Sequence, residues 1–371
     1  MRSLFPFLTV VIFFVAGSAV DAQDIFSKYE SLFTTPRHYV AERIEVPVNI
    51  DGRLDESAWG NATWSEYFVD IEGDKKKAPA YKTRFKILWD SEHMYVGVEM
   101  EEPHVWANIK QHDAVIYYDN DMEIFLDPDG DTHNYFELEL NAHNTVFDLF
   151  MPRPYRDGGS ALHNWDVKKL RSAVAVRGTI NNANDTDTAW YVELAIPFQS
   201  VSLGSTVQVP RAGVAWRINF SRVQWDVDIV NDRHVKRVNK STGRVLPEHN
   251  WVWSQQGVIN MHFPERWGYL YFSDSRSGTI GSISSETPSD KLKKTLWLLY
   301  YKQKDYYRQH KKYASSLREL QMPVTVNLPG VNGNLYLEAT TRQFNANIHS
   351  AGEKSGWQIN QEGRINKFIQ P

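Results

Sequence analysis

Apolar and polar residues alternate between Tyr81 and Trp89. Tyr81, Thr83, Phe85, Ile87 and Trp89 fall on one side of an extended chain, and Lys82, Arg84, Lys86 and Leu88 on the other. Side chains of a strand point to opposite faces with a period of two, so this segment reads as a half-buried strand with a mostly cationic outer face. Asp90-Ser91-Glu92-His93 is a tight connection into a second alternating run, Met94, Val96 and Val98, and the pair reads as a hairpin. The scheme recurs at 121–126, 135–141, 146–150, 190–196, 216–223 and 268–272, between clusters of Asp, Asn, Gly and Pro. Roughly eight strands with no strand–helix alternation predict an all-β antiparallel β-sandwich, jelly-roll-like, rather than a parallel sheet.

The pattern changes after residue 273. Residues 274–290 are rich in Ser and Gly, lack apolar periodicity, and read as a linker. Leu292, Leu296, Leu299, Tyr300, Tyr307, Tyr313, Leu317 and Leu320 then recur near helical spacing, predicting one long or two shorter amphipathic helices that stop at Pro323. Val324–Leu328 and Leu335–Thr341 flank a Pro-Gly-Val-Asn-Gly-Asn turn and read as a hairpin, with 357–359 and 364–365 as a second. The expected organisation is a signal peptide at 1–22, a lead-in at 23–43, the β-sandwich at 44–273, the linker at 274–290, and a small C-terminal α+β appendage at 291–371.

The leader follows from Arg2, the apolar run from Leu4 to Ala16, and small residues Val20 and Ala22 before the expected cleavage point. No later run reaches the ~20 apolar residues of a membrane helix, so a periplasmic or secreted protein without a membrane span is expected. The chain contains no cysteine, which excludes disulfides, thiolate metal sites and a cysteine nucleophile. A formal net charge of −4 provides no field that would gather phosphate backbones, so nucleic acid is not an expected partner. Aromatic residues make up 13% of the chain, which favours ring platforms or a ring-rich core.

Several segments together resemble the family 9 carbohydrate-binding modules. They are Ile50-Asp51-Gly52 with Leu54-Asp55-Glu56 and Trp59; Leu88-Trp89-Asp90 with Tyr95-Val96; Asp121 to Asp127; Tyr191 to Pro197; and Arg266 to Leu270. The resemblance spans about Ile44 to Phe272. It implies an antiparallel β-sandwich, calcium bound in loops for stability, a sugar held by aromatic rings, and polysaccharide-degrading enzymes as companions. Independently of it, Asp51-Gly52 suits a turn, Asp55 an N-cap, and Trp59 the packing of one helical turn onto the sheet.

A saccharide site needs a ring to stack on the sugar's apolar face and charged or amide groups for its hydroxyls. Tyr117, or Tyr118 with a one-residue shift, matches the family's stacking tryptophan, and Glu123 its hydrogen-bonding carboxylate. Two positions depart from the family: its sugar-binding arginine aligns with Glu137, and its second stacking tryptophan falls near Met261 and His262. Trp251 and Trp253 are candidate replacement rings, as are Trp106, Trp165 and Trp225. Asp127, Asp129 and Asp131 place three hard oxygen donors around Gly130 and suit calcium, although Thr132 and Leu138 rule out an EF-hand. The leading expectation is an exported, non-catalytic protein that captures oligo- or polysaccharide in support of polysaccharide breakdown. Two alternatives stay open: a glycoside hydrolase using Glu123 and Glu137, and a scaffold that has lost its sugar site.

Overall fold

The computed structural model describes residues 24–274, 286–350 and 352–369. The expected signal peptide and most of the expected linker lie outside the described residues. In chain order the strands of the first part are β1 (His38–Arg43), β2 (Val69–Asp70), β3 (Thr83–Trp89), β4 (His93–Glu101), β5 (Asp121–Asp127), β6 (Tyr135–Asn141) and β7 (Val146–Met151). There follow β8 (Arg171–Arg177), β9 (Ala189–Pro197), β10 (Ala215–Gln224), the separate hairpin β11 (Val227–Val230) and β12 (Arg233–Lys236), then β13 (His249–Val252) and β14 (Gly268–Ser273).

Twelve of these strands make one continuous sheet with the order β7-β6-β5-β10-β14-β1-β3-β4-β9-β8, β13 pairing with β10 and β2 with β13. The sheet curls so that its two halves share one core, which gives the expected sandwich. Met122, Ile124, Leu126, Leu138 and Phe220 from one half pack with Phe85, Ile87, Val96, Val98, Val192 and Leu194 from the other. Phe85 and Phe220 stack across it at 3.9 Å between ring centroids. The pairing is antiparallel except at β1, which runs parallel to both β14 and β3. β1 lies within the expected lead-in, yet it bridges the two halves of the sheet.

The short helix α1 (Ser57–Asn61) buries Trp59 completely, as anticipated. Its indole Nε1 and the backbone N–H groups of Asp51 and Gly52 all donate to the Glu193 carboxylate, so the turn and the helix are fixed to β9 through one side chain. The N-cap is Glu56 rather than Asp55, and it makes no side-chain capping bond.

In the C-terminal part, α2 (Pro288–His310) starts at a capping box in which Thr287 and Asp290 exchange hydrogen bonds. It ends where Lys311 takes a left-handed conformation, nine residues before Leu320. A five-stranded antiparallel meander follows: β15 (Thr325–Leu328), β16 (Val331–Ala339), β17 (Phe344–Ser350), β18 (Ser355–Asn360) and β19 (Ile365–Ile369). Leu296, Leu299 and Tyr300 of α2 share a core with Leu335, Ala346, Ile348 and Ile359 of the meander, and Ile25, Phe26, Tyr29 and Phe33 join the same core. No described helix is long and apolar enough to cross a membrane.

The α+β part is clamped onto the sandwich by polar contacts. Arg156 pairs with Glu265 and Asp157, both nearly inaccessible, while Tyr300 and Tyr301 donate their hydroxyls to Asp157 and Glu265, and Lys304 pairs with Asp157. Arg364 binds Asp131, and Thr132 donates its hydroxyl to the Gly363 carbonyl.

Candidate functional site

Alternation along β5 decides the chemistry of the site. Met122, Ile124 and Leu126 enter the main core, so Asp121, Glu123, Phe125 and Asp127 must take the opposite face. The β5–β6 ladder sets Glu123 against Glu139 and Phe125 against Glu137, and the β5–β10 ladder sets Glu123 against Ser221. Four carboxylates therefore share one patch of sheet. Beside them Phe125, Tyr135, Phe147, Leu149, Val252 and Trp267 form a second apolar cluster.

Above this patch the chain leaves an open cleft of about 390 Å³, lined by Tyr117, Tyr118, Glu123, Glu137, Glu139 and Tyr155, with His163, Glu248, Asn250, Met261 and His262 completing its wall. No lysine or arginine is among the residues that line it. Tyr117 and Tyr118 sit on a single 3-10 turn, Ile116–Tyr118, anchored by fully buried Ile116. Trp225 donates its indole N–H to the Tyr117 carbonyl, and Asp119 accepts from the backbone N–H groups of Asn108 and Ile109 and from the Asn141 amide. With the backbone so held, the two rings stand 4.6 Å apart and remain 38% and 54% exposed. Lys236 places its ammonium 5.6 Å from the Tyr118 ring centre.

The far wall is also ordered. Tyr155 lies edge-on to His262 at 4.5 Å, and the Tyr135 hydroxyl is 2.8 Å from His262 Nδ1. Burial, helped by Arg156, lowers the His262 pKa to about 4, so the imidazole is neutral at physiological pH. The Arg156 clamp bonds the His262 carbonyl and follows Tyr155 in sequence. Packing of the α+β part thereby positions two cleft side chains.

Burial raises the Glu123 pKa to about 7. Asp121, Glu137 and Glu139 are pushed well above the usual carboxylate range, first by burial and then by the charge of Glu123. A carboxyl near its pKa both donates and accepts hydrogen bonds, as sugar hydroxyls do.

Among the expected ligand residues, Tyr117, Tyr118, Glu123 and Glu137 converge on this cleft, and so do Met261 and His262. Trp251 and Trp253 do not. On β13 it is Asn250 and Val252 that share the acidic face, opposite Val223 and Ser221, so Trp251 points the other way into the main core, where Trp253 is fully enclosed as well. Sealed indoles offer no platform to a sugar. Tyr155, at the start of a 3-10 turn, and His163 also line the cleft, and no period in the sequence singles them out.

The expected calcium residues, Asp127, Asp129 and Asp131, do form a group with donor oxygens within 4.8 Å of one another. Their fit to a metal is limited by what already binds them. Both Asp127 oxygens accept backbone N–H bonds, from Gly130 and Thr132; Asp129 accepts from the Asp131 N–H. Asp131 accepts from the His133 N–H and from the Arg364 guanidinium, which already supplies a positive charge.

The model of the carbohydrate family 9 binding domain-like family matches residues 50–243. A family 9 carbohydrate-binding module from Caldicellulosiruptor kristjanssonii, solved with cellotriose, is 16% identical over 67% of this chain and 100% of its own, with a TM-score of 0.42. The same comparison with a glucose complex from that organism gives 17% identity, 66% and 100% coverage, and a TM-score of 0.40. A candidate carbohydrate-binding protein from Bacteroides uniformis is 14% identical over 64% of this chain and 100% of its own, with a TM-score of 0.48. No curated protein matches the sequence.

Proposed function

The chain belongs to the carbohydrate family 9 binding domain-like family, and from that premise we propose that it is an exported protein that captures oligo- or polysaccharide in the cleft beneath Tyr117 and Tyr118. The exposed ring pair takes the apolar face of a pyranose, while Glu123, Glu137 and Glu139 hydrogen-bond its hydroxyls. The carrying observation is the convergence of these rings and carboxylates on one open cleft. The secretory character of residues 1–22 supports export, and capture outside the cell would serve enzymes that degrade the same polysaccharide.

Titration of the full chain with a panel of neutral oligosaccharides, followed by calorimetry, tests the reading. Saturable binding of at least one, weakened about tenfold in Tyr117→Ala, is expected, in line with the ~1.4 kcal/mol near the top of what ring stacking contributes. Absence of binding across the panel, with and without calcium, would refute it.

A further inference from the structure

The floor of the cleft holds a feature that hydroxyl recognition does not require. Asp121, Glu123 and Glu139 each place a carboxylate oxygen within 4.8 Å of the others, and all three residues are more than nine-tenths buried. Asp121 Oδ2 and Glu139 Oε2 have no hydrogen-bond partner, nor has Oε2 of Glu137 beside them. A further observation points into the same space: the hydroxyl of Ser221, wholly buried and directly opposite Glu123 in the ladder, has no partner beyond its approach to that carboxylate. Buried polar groups are nearly always partnered, and buried charges are paired or bound to metal.

We propose that Asp121, Glu123 and Glu139, with the Ser221 hydroxyl, form a calcium site in the floor of the cleft. Calcium takes six to eight oxygen ligands at roughly 2.3–2.6 Å, and oxygens that lie within 4.8 Å of one another can share one such ion. The donor set is all oxygen, which suits a hard cation over zinc. Magnesium demands a near-octahedral shell at about 2.0–2.1 Å, whereas calcium accepts the irregular geometry of side chains fixed on a sheet. Asp121 is wholly buried and does not line the cleft, so its carboxylate is not a contact for a sugar hydroxyl. Glu123 and Glu139 do line it, and they would leave outward coordination positions for water or ligand hydroxyls. The site differs from the Asp127–Asp131 loop, where both oxygens of Asp127 and both of Asp131 already accept hydrogen bonds.

The test uses the full chain stripped with chelator and titrated with calcium chloride alone at pH 8, so that sugar binding plays no part. The expected result is one-site binding, accompanied by proton release and a rise in Tm, because the raised acids must ionise to bind the ion. Glu139→Gln and Asp121→Asn remove charge at constant shape and are each expected to weaken calcium at least tenfold. Their metal-free Tm at pH 8 should be no lower than that of the parent, which checks that they fold. Sensitised terbium luminescence in the same variants gives a second readout. Absence of calcium binding, unchanged affinity in Glu139→Gln, or loss of binding in Asp129→Asn instead would overturn the proposal.

Discussion

Glu123 and Glu139 stand directly opposite each other across the β5–β6 ladder, both buried, although like charges in that position repel. The sheet tolerates them by holding their protons. Each pKa is raised in the folded state, so each acid contributes stability that is complete below its usual value and is lost as pH climbs through the raised one.

The metal-free protein should therefore melt at a lower temperature at pH 8.5 than at pH 6.5. Glu123 titrates near 7 within that window, and Asp121, Glu137 and Glu139, whose pKa values burial also raises, act in the same direction. A tenfold difference in proton affinity between the folded and unfolded chain corresponds to ~1.4 kcal/mol. His262, held neutral with a pKa near 4, gives the opposite slope only as pH falls below its usual 6.5, outside this range. Calorimetric melting curves at the two pH values provide the check, and Glu139→Gln should flatten the difference.

Tyr118→Ala should weaken sugar binding about tenfold or more and leave Tm almost unchanged. The ring is 54% exposed, so its removal opens no cavity, and surface changes of this sort typically cost ~0.5 kcal/mol or less. A large fall in Tm would show that the ring belongs to the fold instead.

Trp253→Ala should do the reverse. The indole is fully enclosed, packs edge-on to Phe85 at 5.2 Å and donates to Glu66, so its loss should cost roughly 3–5 kcal/mol. The folded fraction, assayed in the cold, should keep its sugar affinity.

The fold is legible in the sequence where alternation is strong, and hidden where a partner strand decides which face is buried. The apolar side of Asp121–Asp127 is unbroken, so the strand and its acidic face were legible, and β6 has the expected limits. Trp251 and Trp253 lie two apart and so share a face, but only pairing of β13 with β10 determines that it is the core face. β17 carries little apolar signal, because Ala346 is small and its neighbours are Asn345 and Asn347. The helical period continues past His310 to Leu320 because turns bury Tyr313 and Leu320 against the same core after α2 has ended.

Arg156→Ala should lower both stability and sugar affinity. Its loss leaves the nearly inaccessible Asp157 and Glu265 short of a cation, a change that costs ~3–5 kcal/mol when a buried pair is broken. It also frees the His262 carbonyl and the turn that carries Tyr155, so Arg156 acts as a positioning residue. Arg156→Lys should restore part of the Tm; affinity that recovers with it would mark the two effects as linked, and wild-type affinity in a destabilised Arg156→Ala would separate them.

The most direct test of the sugar site is a crystal structure of the protein with a bound oligosaccharide identified by titration. A pyranose lying against Tyr117 or Tyr118, with hydroxyls on Glu123 and its neighbouring carboxylates, is the predicted result. Sugar bound elsewhere, for example in the pocket between Phe33, Arg217 and Trp297, with the tyrosine cleft left empty, would contradict it.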